Sequence, residues 1–246
     1  MKTTKSIAII AGLSVFTTAA FAQTTMSKSE TTVENEYLSN VEDVIISELS
    51  SSEDYDNKLV ALQYLESAIE DGRSSPEMSL ALEQLSSEGV SYQARTNGRV
   101  MNNFPDIRAK ACDLLSKIPT TESKNTLVKV IDTDNEPMVL TAAARSLGEI
   151  GMNDNNEVVI ALAKAQTKNA VLNPTSSLAF EILVAFEKLA PVTDDKSYML
   201  QSLTAIASNH NYVRPVRLKA LDVLKSLQGS GSSSKRTGIF GLPILI

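Results

Sequence analysis

The chain has few side chains of the kinds that carry out covalent chemistry. It contains one cysteine, Cys112, and one histidine, His210. Cys112 follows Ala111 on the apolar side of a predicted helix, so we expect a buried thiol rather than a nucleophile. His210 lies in a polar turn, where the sequence supplies neither a nucleophile nor a group to orient the imidazole. We therefore predict no catalytic residue and do not expect an enzyme.

Two acidic turns are similar in composition to parts of calcium-binding loops. They contain Asp132, Asp134 and Asn135 in one case, and Asn153, Asp154 and Asn156 in the other. Neither has the glycine and the terminal glutamate at the spacing that a calcium loop requires. One His and one Cys also cannot form a Cys/His metal cluster. We expect turns between helices at both places, and no metal or other cofactor.

Polar side chains on a series of predicted helices have the chemistry of recognition instead. They lie at outward positions of helices whose other side is apolar. These candidate contact residues are Lys124, Lys129, Lys164, Lys168 and Gln201. On a chain with a formal net charge of −6, a row of lysines would create a local field that attracts an acidic partner. The alternative is that each lysine only solubilises the surface.

A second candidate patch lies where the helical period weakens, in residues 89–104. Asn97 and Gly98 indicate a turn within this segment, which lengthens the first repeating unit. Insertions into repeat proteins lie on one face and often bind partners. The candidate contacts are Tyr92, Arg95, Arg99 and Phe104. The alternative is a tolerated surface loop with two solvated arginines.

The last residues, GSGSSSKRTGIFGLPILI, begin as a flexible Gly/Ser linker and end in an apolar tail. The tail residues that can form contacts are Ile239, Phe240, Leu242, Ile244, Leu245 and Ile246. They are too few to cross a bilayer as a helix, which takes roughly 20 residues. The tail can fold back over an exposed end of the protein, insert into a partner, or touch a membrane surface beside Lys235 and Arg236.

The helices that position these candidates recur along the chain. An apolar stripe with i, i+4 and i+7 spacing runs through Ala143, Ala144, Leu147 and Ile150. Equivalent stripes occur at Ala111, Cys112, Leu115 and Ile118; at Ile182, Leu183, Phe186 and Leu189; at Ala220, Leu221, Leu224 and Leu227; and, more weakly, at Ala61, Leu62, Leu65 and Ala68. A second apolar helix lies between successive stripes, and neither helix can bury its apolar face alone. Stacking of neighbouring units buries both, which predicts an all-α fold: an α-solenoid of stacked antiparallel helix pairs.

Three of the stripe segments resemble a known family. FPDIRAKACDLLSKI, EPMVLTAAARSLGEIG and VRPVRLKALDVLKSL are similar to HEAT repeats, particularly the short bacterial branch related to bilin-lyase-type repeats. The matching positions of the first segment are Pro105, Arg108, Ala111 and Leu115; those of the second are Pro137, Ala143, Ala144, Leu147, Gly148, Ile150 and Gly151; and those of the third are Pro215, Arg217, Ala220 and Leu224. Leu140 replaces the arginine in the second segment. The resemblance spans about residues 56–228 and implies an architecture rather than an activity.

The first 22 residues of the chain indicate export. Residues 1–22 combine Lys2 and Lys5 with an apolar run and a small-residue cleavage site, which is typical of a bacterial secretory signal. We expect a mobile linker at residues 23–31 and an N-terminal capping helix at residues 32–55, with Leu38, Val41, Ile45 and Leu49 on one face. The repeat solenoid then occupies residues 56–228, and the linker and tail occupy residues 229–246. The expected location is the periplasm, the cell envelope or the exterior of a bacterium.

Composition limits the class of partner. The acidic net charge of −6 opposes binding to a phosphate backbone, so nucleic acid is not expected. We predict an exported, non-enzymatic scaffold or adaptor that binds a protein or an extended polymer, with membrane contact only through the tail and an oligomeric state left open. The alternative is a structural cell-envelope component that assembles through the apolar tail. An enzyme accessory or lyase-like HEAT protein is less favoured, because export, the negative charge and the scarcity of aromatic, His and Cys residues argue against a bilin lyase or a DNA glycosylase.

Overall fold

The structure is a computed structural model that describes residues 33–232. The predicted signal sequence (1–22), the predicted linker (23–31) and the six apolar tail residues from Ile239 to Ile246 lie outside the described residues. Their assignments stay predictions.

Residues 33–232 contain ten α-helices and one short β-hairpin. The elements are α1 (Val33–Ser51), α2 (Tyr55–Glu70), α3 (Pro76–Ser86), β1 (Arg95–Thr96), β2 (Arg99–Val100), α4 (Pro105–Leu115), α5 (Thr121–Thr133), α6 (Pro137–Ile150), α7 (Glu157–Leu172), α8 (Ser176–Leu189), α9 (Ser197–Ser208) and α10 (Arg214–Ser232). Short 3-10 helices at Asp154–Asn156 and Ala190–Val192 precede α7 and follow α8.

Local sequence signals determine where several of these helices begin and end. Proline is the first residue of α4 and α6, where its missing N–H group has no helical partner to lose. Thr120 precedes α5, and its Oγ1 accepts a hydrogen bond from the backbone N–H of Ser123 at 3.1 Å. Gly151 ends α6 in the left-handed conformation, with φ of 70°. The helix boundaries therefore follow from caps that are visible in the sequence.

The helices form two layers. The stripe-bearing helices α2, α4, α6, α8 and α10 form one layer, and α1, α3, α5, α7 and α9 form the other. At the centre of the stack, α4, α6 and α8 approach one another more closely than α5, α7 and α9 do. We name the first set the inner layer and the second set the outer layer. This arrangement confirms the predicted all-α solenoid of helix pairs.

The close approach of α6 and α8 depends on one glycine. A Cβ atom on Gly148 of α6 would lie 2.8 Å from the Cα of Ala185 in α8. The backbones therefore approach to a distance that only glycine permits at this position. The predicted stripes form the core around this contact: Ala143, Leu147, Ile182 and Phe186 are fully buried.

The order of the helices within each pair differs from the prediction. The stripe helix was expected to open each unit, with a separate capping helix in front of the first one. In the structure α1 packs closely on α2, α3 on α4, α5 on α6 and α9 on α10, so the stripe helix closes each pair. The helix predicted at residues 32–55 ends at Ser51 and is the first helix of the first pair.

The face that α1 buries also differs from the prediction. Leu38, Val41 and Ile45 were expected on the face toward the stack, but they are 56%, 39% and 39% exposed. The buried residues of α1 include Asp43 and Ile46 instead, because α1 contacts both α2 and α3 through the adjacent side of the helix.

The last helix is longer than predicted. Gly229 was expected to close it and to begin a flexible linker, but α10 continues to Ser232. A glycine ends a helix when the chain turns into the left-handed conformation there, as at Gly151. At residue 229 the helix continues, so residues 229–232 belong to α10 rather than to the linker.

Candidate functional site

The structure separates the predicted lysines into two groups, and Lys124 belongs to the buried one. Its side chain is only 3% exposed. Lys124 Nζ donates a hydrogen bond to Asp154 Oδ2 at 2.7 Å and another to Glu157. These hydrogen bonds raise the pKa of Lys124, because they favour its charged form. The prediction that Lys124 contacts a partner is therefore wrong: it joins α5 to the start of α7.

Lys129 is exposed but lies away from the α7 lysines. Its Nζ is 3.7 Å from Glu83 Oε1 on α3, so this carboxylate partly neutralises the charge of Lys129. The two lysines of α5 therefore do not continue a row into α7.

Lys164, Lys168 and Gln201 do come together. They line a groove of about 680 Å³ between α7 and α9, which we name the α7–α9 groove. Ala163 and Ala170 contribute apolar surface to it, and Tyr198 of α9 is 41% exposed beside them. The groove therefore combines apolar contacts with long cationic and amide side chains, which is the chemistry of a protein-binding site.

The α7–α9 groove holds positive charge that the fold does not neutralise. Within residues 33–232 no carboxylate lies at ion-pair distance from Lys164 or Lys168. Lys168 Nζ donates a hydrogen bond to the side-chain oxygen of Asn135 at 2.6 Å, which orients the ammonium group without cancelling its charge. Both lysines remain able to attract an acidic group.

A second outer-layer groove has the opposite charge. It lies between α3 and α5, has a volume of about 450 Å³, and includes the exposed Leu80 together with Glu83 and Glu122. The two grooves have similar positions on the stack but different chemistry. An acidic partner that approaches the outer layer would therefore favour the α7–α9 groove over the groove between α3 and α5.

The charged residues of the inner layer are arranged differently. Ion pairs connect each stripe helix from α2 to α10 with the next one. The pairs are Glu66–Lys110, Asp113–Arg145, Arg145–Glu181, Glu149–Lys188 and Glu187–Lys219. Each of these charges has an opposite charge within the protein, unlike Lys164 and Lys168 of the α7–α9 groove.

The patch predicted in residues 89–104 is only partly on the surface. Tyr92, Arg95 and Arg99 are exposed, the last two on the β-hairpin. Phe104 packs against the core, with its ring edge-on to Tyr55 at a centroid distance of 5.1 Å. Phe104 is therefore half-buried and offers a partner less surface than predicted. Its aromatic neighbour Tyr55 is the first residue of α2, two helices earlier in the chain, which local sequence does not reveal.

A buried network holds this loop in place. Asn102 donates hydrogen bonds to Glu88 at 2.7 Å and to the carbonyl oxygen of Tyr92 at 2.9 Å. Glu88 also accepts a hydrogen bond from the buried Lys58 at 2.8 Å. At Gly89 a Cβ would lie 2.2 Å from the Asn102 carbonyl oxygen. The hairpin therefore projects from a fixed base.

Cys112, His210 and the two acidic stretches interact with other residues of the fold. Cys112 is fully buried, and burial raises the pKa of its thiol. The imidazole Nδ1 of His210 lies 3.1 Å from Arg217 Nη1 on the surface. Asp134 pairs with the buried Arg108 at 2.7 Å, and Asn153 donates a hydrogen bond to Thr193 at 2.9 Å. Asp134 and Asn135 lie between α5 and α6 as predicted, but Asp132 is still part of α5, and Asp154–Asn156 form the 3-10 helix before α7.

Residues 33–232 contain neither a metal-binding cluster of side chains nor a helix that could span a membrane. No group of three or more His, Cys, Asp and Glu side chains in this range is arranged to hold a metal ion. In the same range, no helix has the length and apolar character needed to cross a bilayer.

Comparison with known families agrees with the architecture. The sequence model of the HEAT repeats family matches residues 99–176, which contain β2 and the helices α4 to α7. Comparisons with curated proteins and with solved structures find no match.

Proposed function

We propose that this chain is a non-enzymatic scaffold that binds a protein partner in the α7–α9 groove, because residues 99–176 match the sequence model of the HEAT repeats family. HEAT repeats commonly mediate interactions between proteins. A solenoid presents a rigid, preformed surface, which lowers the entropy lost on binding. The partner surface is acidic and partly apolar, and the complex forms after the protein has been exported.

The observation that carries this proposal is that no carboxylate of residues 33–232 lies at ion-pair distance from Lys164 or Lys168. Lys164 and Lys168 project beside an apolar surface that includes Ala163 and the 80% exposed Val171. An acidic partner would neutralise the lysines while its apolar side chains cover this surface. Tyr198 adds an aromatic ring with a polar end, the kind of residue that often dominates binding energy at interfaces.

Three features support the other parts of the proposal. The acidic net charge of −6 disfavours nucleic acid. The thiol of Cys112 is buried, and the imidazole of His210 lies beside Arg217, both of which disfavour a catalytic role. The basic start, apolar run and cleavage site in residues 1–22 support export.

The test of the groove is a charge reversal with a matched control. The variant K164E/K168E should lose capture of the partner from the native cell envelope by about tenfold or more, because two attractions become repulsions. The control K117E/K225E makes the same change of net charge at exposed lysines outside the groove, and should capture the partner normally. Unchanged melting temperatures in both variants show that the fold is intact.

Two results would contradict the proposal. Normal capture by K164E/K168E would remove the groove from the binding site, and equal losses in both variants would show that only net charge matters. The export part is tested separately by fractionating cells and sequencing the N terminus of the purified protein. A chain beginning at Gln23 outside the cytoplasm is expected, and a full-length cytoplasmic chain would refute export.

A further inference from the structure

The N-terminal end of the stack exposes an apolar stripe on α1. Tyr37, Leu38, Val41, Val44 and Ile45 are all exposed, with Val44 at 68%. In a helix of 3.6 residues per turn these positions fall on one side. Among the described helices, α3, α5 and α7 each have an outer-layer neighbour on both sides, whereas α1 has one on the α3 side alone. Within residues 33–232 no helix covers this apolar surface, and exposed apolar surface of this kind indicates an interaction site.

An acidic pocket borders this stripe. It lies between α1 and the start of α3, has a volume of about 400 Å³, and is lined by Asn40, Asp43, Val44, Ser47, Glu48 and Glu77. Val44 belongs to both the stripe and the pocket. The surface thus places a cluster of carboxylates directly beside apolar side chains.

One carboxylate of the pocket lacks a hydrogen-bond donor. Asp43 is 8% exposed, and its Oδ1 has no hydrogen-bond partner among the described residues. A buried acceptor without a donor is unfavourable, so a cation placed here gains more than it would on open surface. On the other side of α1, Glu42 is already paired with Arg73 at 2.5 Å. The cation needed at Asp43 is not supplied by the described part of the chain.

The chain itself contains a segment of complementary chemistry. Lys235 and Arg236 precede the apolar sequence GIFGLPILI, so a basic pair is followed at once by apolar side chains. Residues 1–22 have a similar order of charges and apolar residues, but they are expected to be removed on export. In the exported protein, residues 235–246 are the segment whose order of charge and apolarity matches the pocket and stripe.

Distance excludes this contact within one molecule. The pocket is on the first helix pair, and α10 belongs to the last of five pairs. Helix axes lie about 8–10 Å apart, so four steps separate the ends by about 30–40 Å. Lys235 is three residues beyond Ser232 and reaches only about 10 Å from the end of α10, since an extended chain spans roughly 3.5 Å per residue.

We propose that the α1 end of one copy binds residues 235–246 of a second copy, with Lys235 and Arg236 in the acidic pocket and the apolar residues on the α1 stripe. The two surfaces differ, so the contact is heterologous and joins copies head to tail. This assembly uses neither the α7–α9 groove nor its lysines. It leaves the proposed partner site open on every copy.

The test is self-association of the full chain from Gln23, measured by sedimentation velocity over a range of concentrations. Wild type is expected to form species larger than a dimer as concentration rises. The variants K235E/R236E and E48K/E77K, which reverse opposite sides of the contact, should each weaken association by about tenfold or more. The control E122K/D132K reverses two exposed carboxylates of α5 and should associate like wild type.

Mixing the variants gives the decisive result. K235E/R236E keeps an intact α1 end, and E48K/E77K keeps an intact tail, so an equimolar mixture should form a one-to-one dimer that neither variant forms alone. Melting curves confirm that both variants are folded. A wild-type chain that stays monomeric, a mixture that does not associate, or an effect of E48K/E77K without one of K235E/R236E would overturn the proposal; the last would mean that α1 pairs with itself.

Discussion

The inner layer and the α7–α9 groove use positive charge in different ways. Arg145 on the inner layer lies 3.0 Å from Asp113 on the helix before it and 3.6 Å from Glu181 on the helix after it. Lys168 in the groove has only the neutral side chain of Asn135 as a described hydrogen-bond partner. Charges of the first kind connect neighbouring units, whereas charges of the second kind remain available to a partner.

Lys124 shows that the outer layer also contains both kinds. It lies one helix pair before Lys164, yet two carboxylates of the following unit enclose it. Residue type and predicted helix face are the same for both lysines. The difference is whether the next unit places a carboxylate opposite the lysine, and this determines whether the charge stabilises the stack or remains free for recognition.

Among changes to charges that connect neighbouring units, the largest loss of stability is expected from replacing the inner-layer residue Arg108. It is 1% exposed and pairs with Asp134, which is 2% exposed, at 2.7 Å. The change Arg108→Ala leaves a buried carboxylate without its cation, so we expect the free energy of unfolding to fall by about 3–5 kcal/mol. Urea denaturation measures the loss.

A second variant separates the charge from the packing. In R108M/D134L both charges are replaced by apolar side chains, and part of the stability should return because no unpaired charge remains. Recovery is incomplete, since Asp134 Oδ1 also accepts hydrogen bonds from the backbone N–H groups of Asn135 and Glu136. A loss below about 1 kcal/mol in Arg108→Ala would contradict a buried ionic link of this kind.

The next effect concerns the close approach of α6 and α8. Alanine is a better helix former than glycine by up to about 1 kcal/mol, so Gly148→Ala would stabilise an unhindered helix. Here the new Cβ would lie 2.8 Å from the Ala185 Cα, and we expect a net loss of about 1–3 kcal/mol. Thermal unfolding measures the sign, and a gain in stability would show that the inner layer is less tightly spaced than described.

The architecture could be predicted because its signal repeats. The stripe recurs with the same spacing in several segments, and each copy supports the others. The order of the helices within each pair could not be predicted, because an apolar stripe does not specify whether its helix packs mainly on the helix before it or on the helix after it. The orientation of α1 was wrong for a related reason: its apolar residues extend around more of the helix than the part that α2 and α3 cover.

The residues of the candidate site that could be predicted are those whose exposure follows from an outward position on their own helix. Lys164, Lys168 and Gln201 occupy outward positions of successive outer-layer helices, and the structure brings them to one groove. Lys124 was misplaced, and Phe104 is less exposed than predicted, because the residues that cover them, Glu157 and Tyr55, belong to other units. Contacts between units depend on the relative rotation of whole helices, which single-helix patterns do not determine.

A smaller effect is expected from the exposed ion pairs. Arg145→Gln removes the contacts to Asp113 and Glu181, but all three side chains retain access to water. Such pairs contribute about 0.2–1 kcal/mol each, so stability should fall slightly at low ionic strength and hardly at all at high ionic strength. Partner capture should be unchanged, the opposite of the result expected for K164E/K168E. A loss of capture in Arg145→Gln would place the binding surface on the inner layer.

The smallest effect concerns the start of α9, which forms one wall of the α7–α9 groove. Asp195 accepts a hydrogen bond from the backbone N–H of Ser197 at 2.9 Å, and this bond holds the pKa of Asp195 below its ordinary value of 3.8. The ionised form therefore stabilises the helix start above pH 3.8, and this contribution is lost as the pH falls through the lowered pKa. Asp195→Asn keeps an acceptor but cannot titrate, so the difference in melting temperature between wild type and variant should shrink as the pH is lowered through this range. A constant difference would show that the charge of Asp195 contributes nothing to the groove wall. The position of α9 would then depend on packing alone. Charges that stabilise the fold would in that case contribute nothing to the helix that carries Gln201, and the only charges that matter in the groove would be those of its lysines.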